Sequence, residues 1–77
     1  MLSDRDALER ISSNVVSIME KRGLTQAELA KAVGENRMRV SLLVRAKRLP
    51  SAAFLARVAE ALDVTIDALL RNPKKSA

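Results

Sequence analysis

The side chains with the most to offer chemically are cations. Arg37, Arg39, Arg45, Lys47 and Arg48 all fall within residues 36–48, a stretch that holds no acid. Around them charge nearly cancels. Residues 1–35 carry five basic and six acidic side chains and residues 49–77 carry four and three, so the net +5 arises in the thirteen residues between. A positive field concentrated in this way attracts polyanions. Catalysis has far less to draw on. The chain has neither cysteine nor histidine, hence no thiol nucleophile, no zinc–thiolate site and no imidazole base. Ser12 and Ser13 have no base of a suitable type to activate them. Thr25, Ser51 and Thr65 stand where helices begin and read as caps rather than catalytic hydroxyls. No Gly-rich phosphate loop and no metal-ligand cluster is present, so an enzyme, a cofactor, a metal site and a small-molecule ligand are all unexpected.

Something must hold those cations in place, and the composition favours helices. Of 77 residues, 48 % are hydrophobic, with twelve Ala and eleven Leu but only two Gly and two Pro. β-branched residues are few. No apolar run approaches the ~20 residues of a membrane span. The start, Met1-Leu2-Ser3-Asp4-Arg5-Asp6, has no apolar segment of the secretory type. A cytoplasmic all-α domain is expected. A single core of this size supplies about 3–5 kcal/mol, which makes support from a second subunit reasonable.

Periodicity divides the chain into five short helices. Leu8, Ile11, Val15, Ile18 and Met19 recur in steps of three and four, with Ser3 or Asp4 as cap and Gly23 as stop. Thr25-Gln26-Ala27-Glu28 is a capping box that opens a second helix, with Leu29, Ala30 and Val33 as its stripe and Gly34 at its end. Asn36 caps a third, whose inward face is Val40, Leu43 and Val44 and whose outward face is Arg37, Met38, Ser41, Leu42 and Arg45. Beyond Pro50, Ser51 caps a fourth helix with Phe54, Leu55, Val58, Ala59 and Leu62 inward. Thr65 caps a short fifth helix built on Ile66, Leu69 and Leu70. The expected domain is residues 1–71, and residues 72–77 read as a flexible basic tail.

Residues 24–70 resemble the helix-turn-helix of the phage repressor and Cro family. The resemblance is carried by Leu24-Thr25-Gln26-Ala27-Glu28-Leu29-Ala30, Gly34, Val40-Ser41, Lys47-Arg48 with Pro50, and Ala59-Glu60-Ala61-Leu62 with Val64 and Leu69. Ile11-Ser12-Ser13 and Val15 also look like the first helix of lambdoid repressors. It implies a compact bundle in which helices two and three form the motif, the third entering a major groove. By position, it makes Arg37, Met38, Ser41 and Leu42 base-contacting residues. Arg37 would fork onto guanine, and Met38 and Leu42 would pack on thymine methyl groups. It makes Gln26, Asn36, Arg39, Arg45, Lys47 and Arg48 phosphate-contacting residues, which fix register rather than read sequence.

Three positions depart from the family pattern. Glu35 stands in the turn where a small apolar residue is common, and is expected to face incoming phosphate and weaken binding or tune the salt response. Ala46 stands where Gly is usual; because Ala resists positive φ, the third helix should run on or its loop bend differently. Val44 replaces a Glu that pairs with an Arg at the position of Met19. Both partners have become apolar, so Met19 and Val44 are expected to touch in the core.

The function expected from this resemblance is a sequence-specific double-stranded DNA-binding transcriptional regulator. It would act as a repressor and bind a palindromic operator as a homodimer, with Leu49, Leu69 and Leu70 as candidate dimer contacts. The alternative is a protein-binding module, such as an antitoxin, with Met38, Leu42 and Glu35 facing a partner groove. RNA is disfavoured because the chain lacks the aromatics that stack on single strands.

Overall fold

The computed structural model describes residues 2–73, so residues 74–77 of the expected tail lie outside the described residues. The described chain is all helix and loop: α1 (Asp4–Arg22), α2 (Gln26–Val33), α3 (Arg37–Val44), α4 (Ala52–Ala61) and α5 (Ile66–Leu70).

Each helix begins on a residue that satisfies an otherwise orphaned backbone donor. Ser3, Thr25, Asn36, Ser51 and Thr65 accept from the backbone N–H of Asp6, Glu28, Arg39, Phe54 and Ala68, at 3.0–3.1 Å. Thr25 and Glu28 complete the reciprocal box, with Glu28 Oε1 accepting the Thr25 N–H at 2.9 Å.

The first four helices stop in one way. A residue with positive φ follows the last turn, and the next N–H reaches back five residues to a helix carbonyl. Gly23 (φ 65°), Gly34 (φ 71°), Ala46 (φ 54°) and Asp63 (φ 56°) take that conformation. The return bonds are Leu24 N–H to Met19 O at 2.9 Å, Glu35 to Ala30 at 3.0 Å, Lys47 to Leu42 at 2.9 Å and Val64 to Ala59 at 3.0 Å. The expectation for Ala46 is thereby corrected. The third helix does not run on; Ala46 itself adopts the left-handed conformation, at a cost of about 1–2 kcal/mol that glycine would avoid. α5 ends differently, on side chains of α1: Asn14 Nδ2 donates to Leu69 O at 2.7 Å and Arg71 O at 2.9 Å, and Arg10 Nη1 to Leu70 O at 3.4 Å.

The inward stripes meet in one core: Ile11, Val15 and Met19 of α1, Leu29, Ala30 and Val33 of α2, Val40 and Leu43 of α3, Phe54, Val58 and Ala59 of α4, with Leu62 and Leu69. α1 packs on α3 and α5, α2 on α3 and α4, and α4 on α5. Met19 is buried and Val44 half-buried against this core, and both line one shallow recess. Ser12, which the sequence offered no role, is buried and its hydroxyl donates to Val44 O at 2.8 Å, tying the end of α3 to α1. Two apolar assignments need correction. Leu69 is fully buried and belongs to the core, not to a subunit surface, because Asn14 and Arg10 draw the end of α5 down onto α1. Ile66 sits on the outer side of α5 and is 39 % exposed.

Candidate nucleic-acid interface

α3 is the element that carries the candidate residues, and its sequence is unusual for a helix. α1, α2 and α5 place acids in their first turn, where the positive end of the helix dipole favours them. α3, like α4, has no acid there, and it alone opens with two arginines, Arg37 and Arg39. Like-signed charge on the dipole's positive end costs a few tenths of a kcal/mol or more, and an external anion at that end would offset it. A broken local rule marks a place to look for function, and Arg37 in particular has no ion pair of its own among the described residues.

Apolar residues also lie on both faces of α3. Val40 and Leu43 are buried, while Met38, on the opposite face, is 66 % exposed. Leu42, one turn further, is half-buried. A helix that shows a long apolar side chain to solvent between two exposed arginines suits a partner that is both anionic and locally apolar.

The predicted residues divide between the front of α3 and two flanking recesses. Arg37, Met38 and Arg45 are exposed on the front, with Ser41 and Leu42 half-buried beside them. Towards α1 and α2, Gln26 and Arg45 line the recess that also holds Met19, Val44 and Leu24. Towards α4, Arg39 and Arg48 line a second recess, of about 250 Å³, with Leu42, Leu49, Pro50 and Phe54. Lys47 and Arg48 are exposed on the loop that follows Ala46. Asn36 serves as helix cap, with its Oδ1 accepting the Arg39 N–H at 3.0 Å.

Glu35 is where the sequence reading fails. Its carboxylate is not free to meet phosphate but is paired within the chain, and the side chain is 18 % exposed. Oε2 accepts from Arg57 Nη2 of α4 at 2.6 Å and Oε1 lies 3.5 Å from Arg39 Nη1. The acid thus bridges the α2–α3 turn to α4 and takes up part of the charge of Arg39, whose side chain is 56 % exposed. A distance of 3.5 Å with a half-exposed partner is a weak pair that a phosphate can displace. The Arg57 partnership spans 22 residues, and no local sequence signal announces it.

Comparison with known proteins agrees with this geometry. The sequence model of a helix-turn-helix family matches residues 17–69. No curated protein sequence matches the chain. Among solved structures it is similar to NHTF, a hypothetical transcription factor from Neisseria, with 26 % identity and a TM-score of 0.85 over 95 % of this chain and 84 % of that one. It is also similar to the restriction-modification controller protein C.AhdI from Aeromonas hydrophila, with 27 % identity and a TM-score of 0.75 over 80 % of this chain and 94 % of that one. A helix-turn-helix family transcriptional regulator from Vibrio cholerae shares the fold at 21 % identity and a TM-score of 0.80, over 87 % of this chain and 38 % of that one.

Proposed function

The chain belongs to the helix-turn-helix family, and from that premise we propose that it is a sequence-specific transcriptional regulator of double-stranded DNA. In this reading α3 enters the major groove and the protein acts as a repressor, bound as a homodimer to a palindromic operator. The observation that carries the proposal is the front of α3. Arg37, Met38 and Arg45 are exposed together on a helix whose other face is locked into the core by Val40 and Leu43. Rigid backing of this kind lets a few side chains read base edges without losing their geometry.

Roles follow from chemistry and position. Arg37 forks onto guanine O6 and N7, and Ser41 donates or accepts beside it. Met38 and Leu42 have no hydrogen-bonding group suited to a base edge and meet apolar groups instead. Gln26 and Arg45 on one side of α3, and Asn36, Arg39, Lys47 and Arg48 on the other side and along the loop, hold phosphates. Glu35 takes up part of the charge of Arg39, and the other three cations in that set predict a salt slope of about −2.7 for each domain bound. Two domains with half-sites one helical turn apart multiply the discrimination. Leu49 (42 % exposed), Ile66 and the half-buried Leu70 are among the apolar residues available for a subunit contact.

Selection from random duplexes tests the proposal. An enriched inverted repeat with spacing near one turn supports it, and Arg37→Ala should then weaken the selected site by about 1–3 kcal/mol and relax preference at one base pair. The exposure of Met38 also fits a protein-binding module, and absence of any enriched duplex at low salt would favour that second reading.

A further inference from the structure

Among the large hydrophobic side chains of the described residues that stand exposed, Met38 is the furthest out, and it shares one stripe of α3 with Leu42, four residues on. Arg37 and Arg39 lie on the same helix, Arg45 at its end and Lys47 and Arg48 on the loop that follows, all exposed. A protein groove that took Met38 and Leu42 would have to bring an acidic rim to meet those cations. The major groove of DNA supplies both halves of the complement in one surface: phosphates at the rim and the C5-methyl group of thymine on the floor.

The chemistry of the two side chains narrows what they distinguish. Thymine presents an O4 acceptor and a methyl group; cytosine presents an N4 amino donor and no methyl. Leucine has no polar atom, and the methionine thioether is only a weak acceptor. Neither can enforce a choice between O4 and the N4 amino group. The methyl group is the one feature left for them to read.

Resting on the DNA-binding proposal above, we infer that α3 reads the C5-methyl group itself. In consequence 5-methylcytosine substitutes for thymine at the bases facing Met38 and Leu42, and binding responds to cytosine methylation of the site. Each methyl group buried against these side chains is worth about fourfold in affinity, and a pair in one half-site about 15-fold.

The experiment uses the full chain and its selected duplex. Each thymine of one half-site is replaced in turn by 2′-deoxyuridine, which removes only the methyl group. Each T·A pair is also replaced by C·G and by 5-methylcytosine·G. Binding is read by fluorescence anisotropy with the wild-type chain and with Met38→Ala and Leu42→Ala, whose folding is checked by circular dichroism. At one or two positions deoxyuridine and cytosine should each weaken binding about fourfold, while 5-methylcytosine restores it. At the position read by Met38, the deoxyuridine effect should vanish in Met38→Ala. A selected half-site without thymine, deoxyuridine tolerated everywhere, or 5-methylcytosine no better than cytosine would overturn the inference while the DNA-binding reading stands. A chain that binds no duplex at low salt would remove both.

Discussion

Ala46 offers a direct test of how the recognition helix is closed. It holds φ 54° at the end of α3, the conformation that Gly34 holds at φ 71° at the end of α2. The two ends share their hydrogen bonds, with Lys47 N–H on Leu42 O and Glu35 N–H on Ala30 O. They differ in one methyl group. A non-glycine residue in the left-handed region costs about 1–2 kcal/mol. Replacement by glycine recovers that cost but loosens the unfolded chain, which returns about 0.4–1 kcal/mol. Ala46→Gly should therefore stabilise the domain by about 0.5–1 kcal/mol, which raises Tm by about 2–8 °C for a domain of this size. Gly34→Ala is the reciprocal experiment. A Cβ built there meets nothing within 4 Å, so any loss is backbone strain alone, of similar size and opposite sign. Thermal and urea unfolding followed by far-UV circular dichroism measures both. If Ala46→Gly is neutral or destabilising while Gly34→Ala is also neutral, left-handed strain does not govern these ends and the account of helix closure is wrong.

Three other outcomes follow from the same structure. Leu43→Ala removes a side chain that is 1 % exposed behind the recognition face and should cost about 2–5 kcal/mol, enough to leave much of the protein unfolded in chemical denaturation. Glu35→Gln weakens the bridge to Arg57 and releases Arg39; stability should fall by about 1 kcal/mol, while the salt slope of DNA binding steepens by about 0.9 if Arg39 gains a phosphate contact. An unchanged slope would show that the acid withholds no charge from the duplex. The Thr25 backbone N–H, and after it the Thr25 hydroxyl, hold the Glu28 carboxyl below its ordinary range. A depressed pKa contributes stability that is present above the unfolded value and lost as pH falls through the folded one. The urea midpoint should thus drop on the acid side, and Glu28→Gln should flatten that drop.

The parts of this protein that the sequence announces are those whose partners lie within one turn. All five helix starts were legible because each cap serves an N–H three residues ahead. The core stripes followed from a period of three to four, and the cationic stretch needed only counting. The front of α3 was legible on the same terms: once Val40 and Leu43 face inward, helical geometry puts Arg37, Met38 and Arg45 outward. What required the tertiary structure were contacts whose partners are distant in sequence and set by the packing of helices. Arg57 reaches Glu35 across 22 residues, Ser12 reaches Val44 across 32, and Asn14 reaches Leu69 across 55. Those contacts decided that Glu35 is paired within the chain rather than free to meet phosphate and that the end of α5 lies down on α1. Ala46 belongs with them. Its intrinsic preference opposes positive φ, and it turns nonetheless because Val40 and Leu43 fix α3 in the core and the chain must fold back towards Pro50 and α4. Local chemistry set where each helix begins and which face it buries; the docking of α1, α3 and α4 set where the remaining polar groups found partners, since angles between helices are properties of the whole core and not of any one segment.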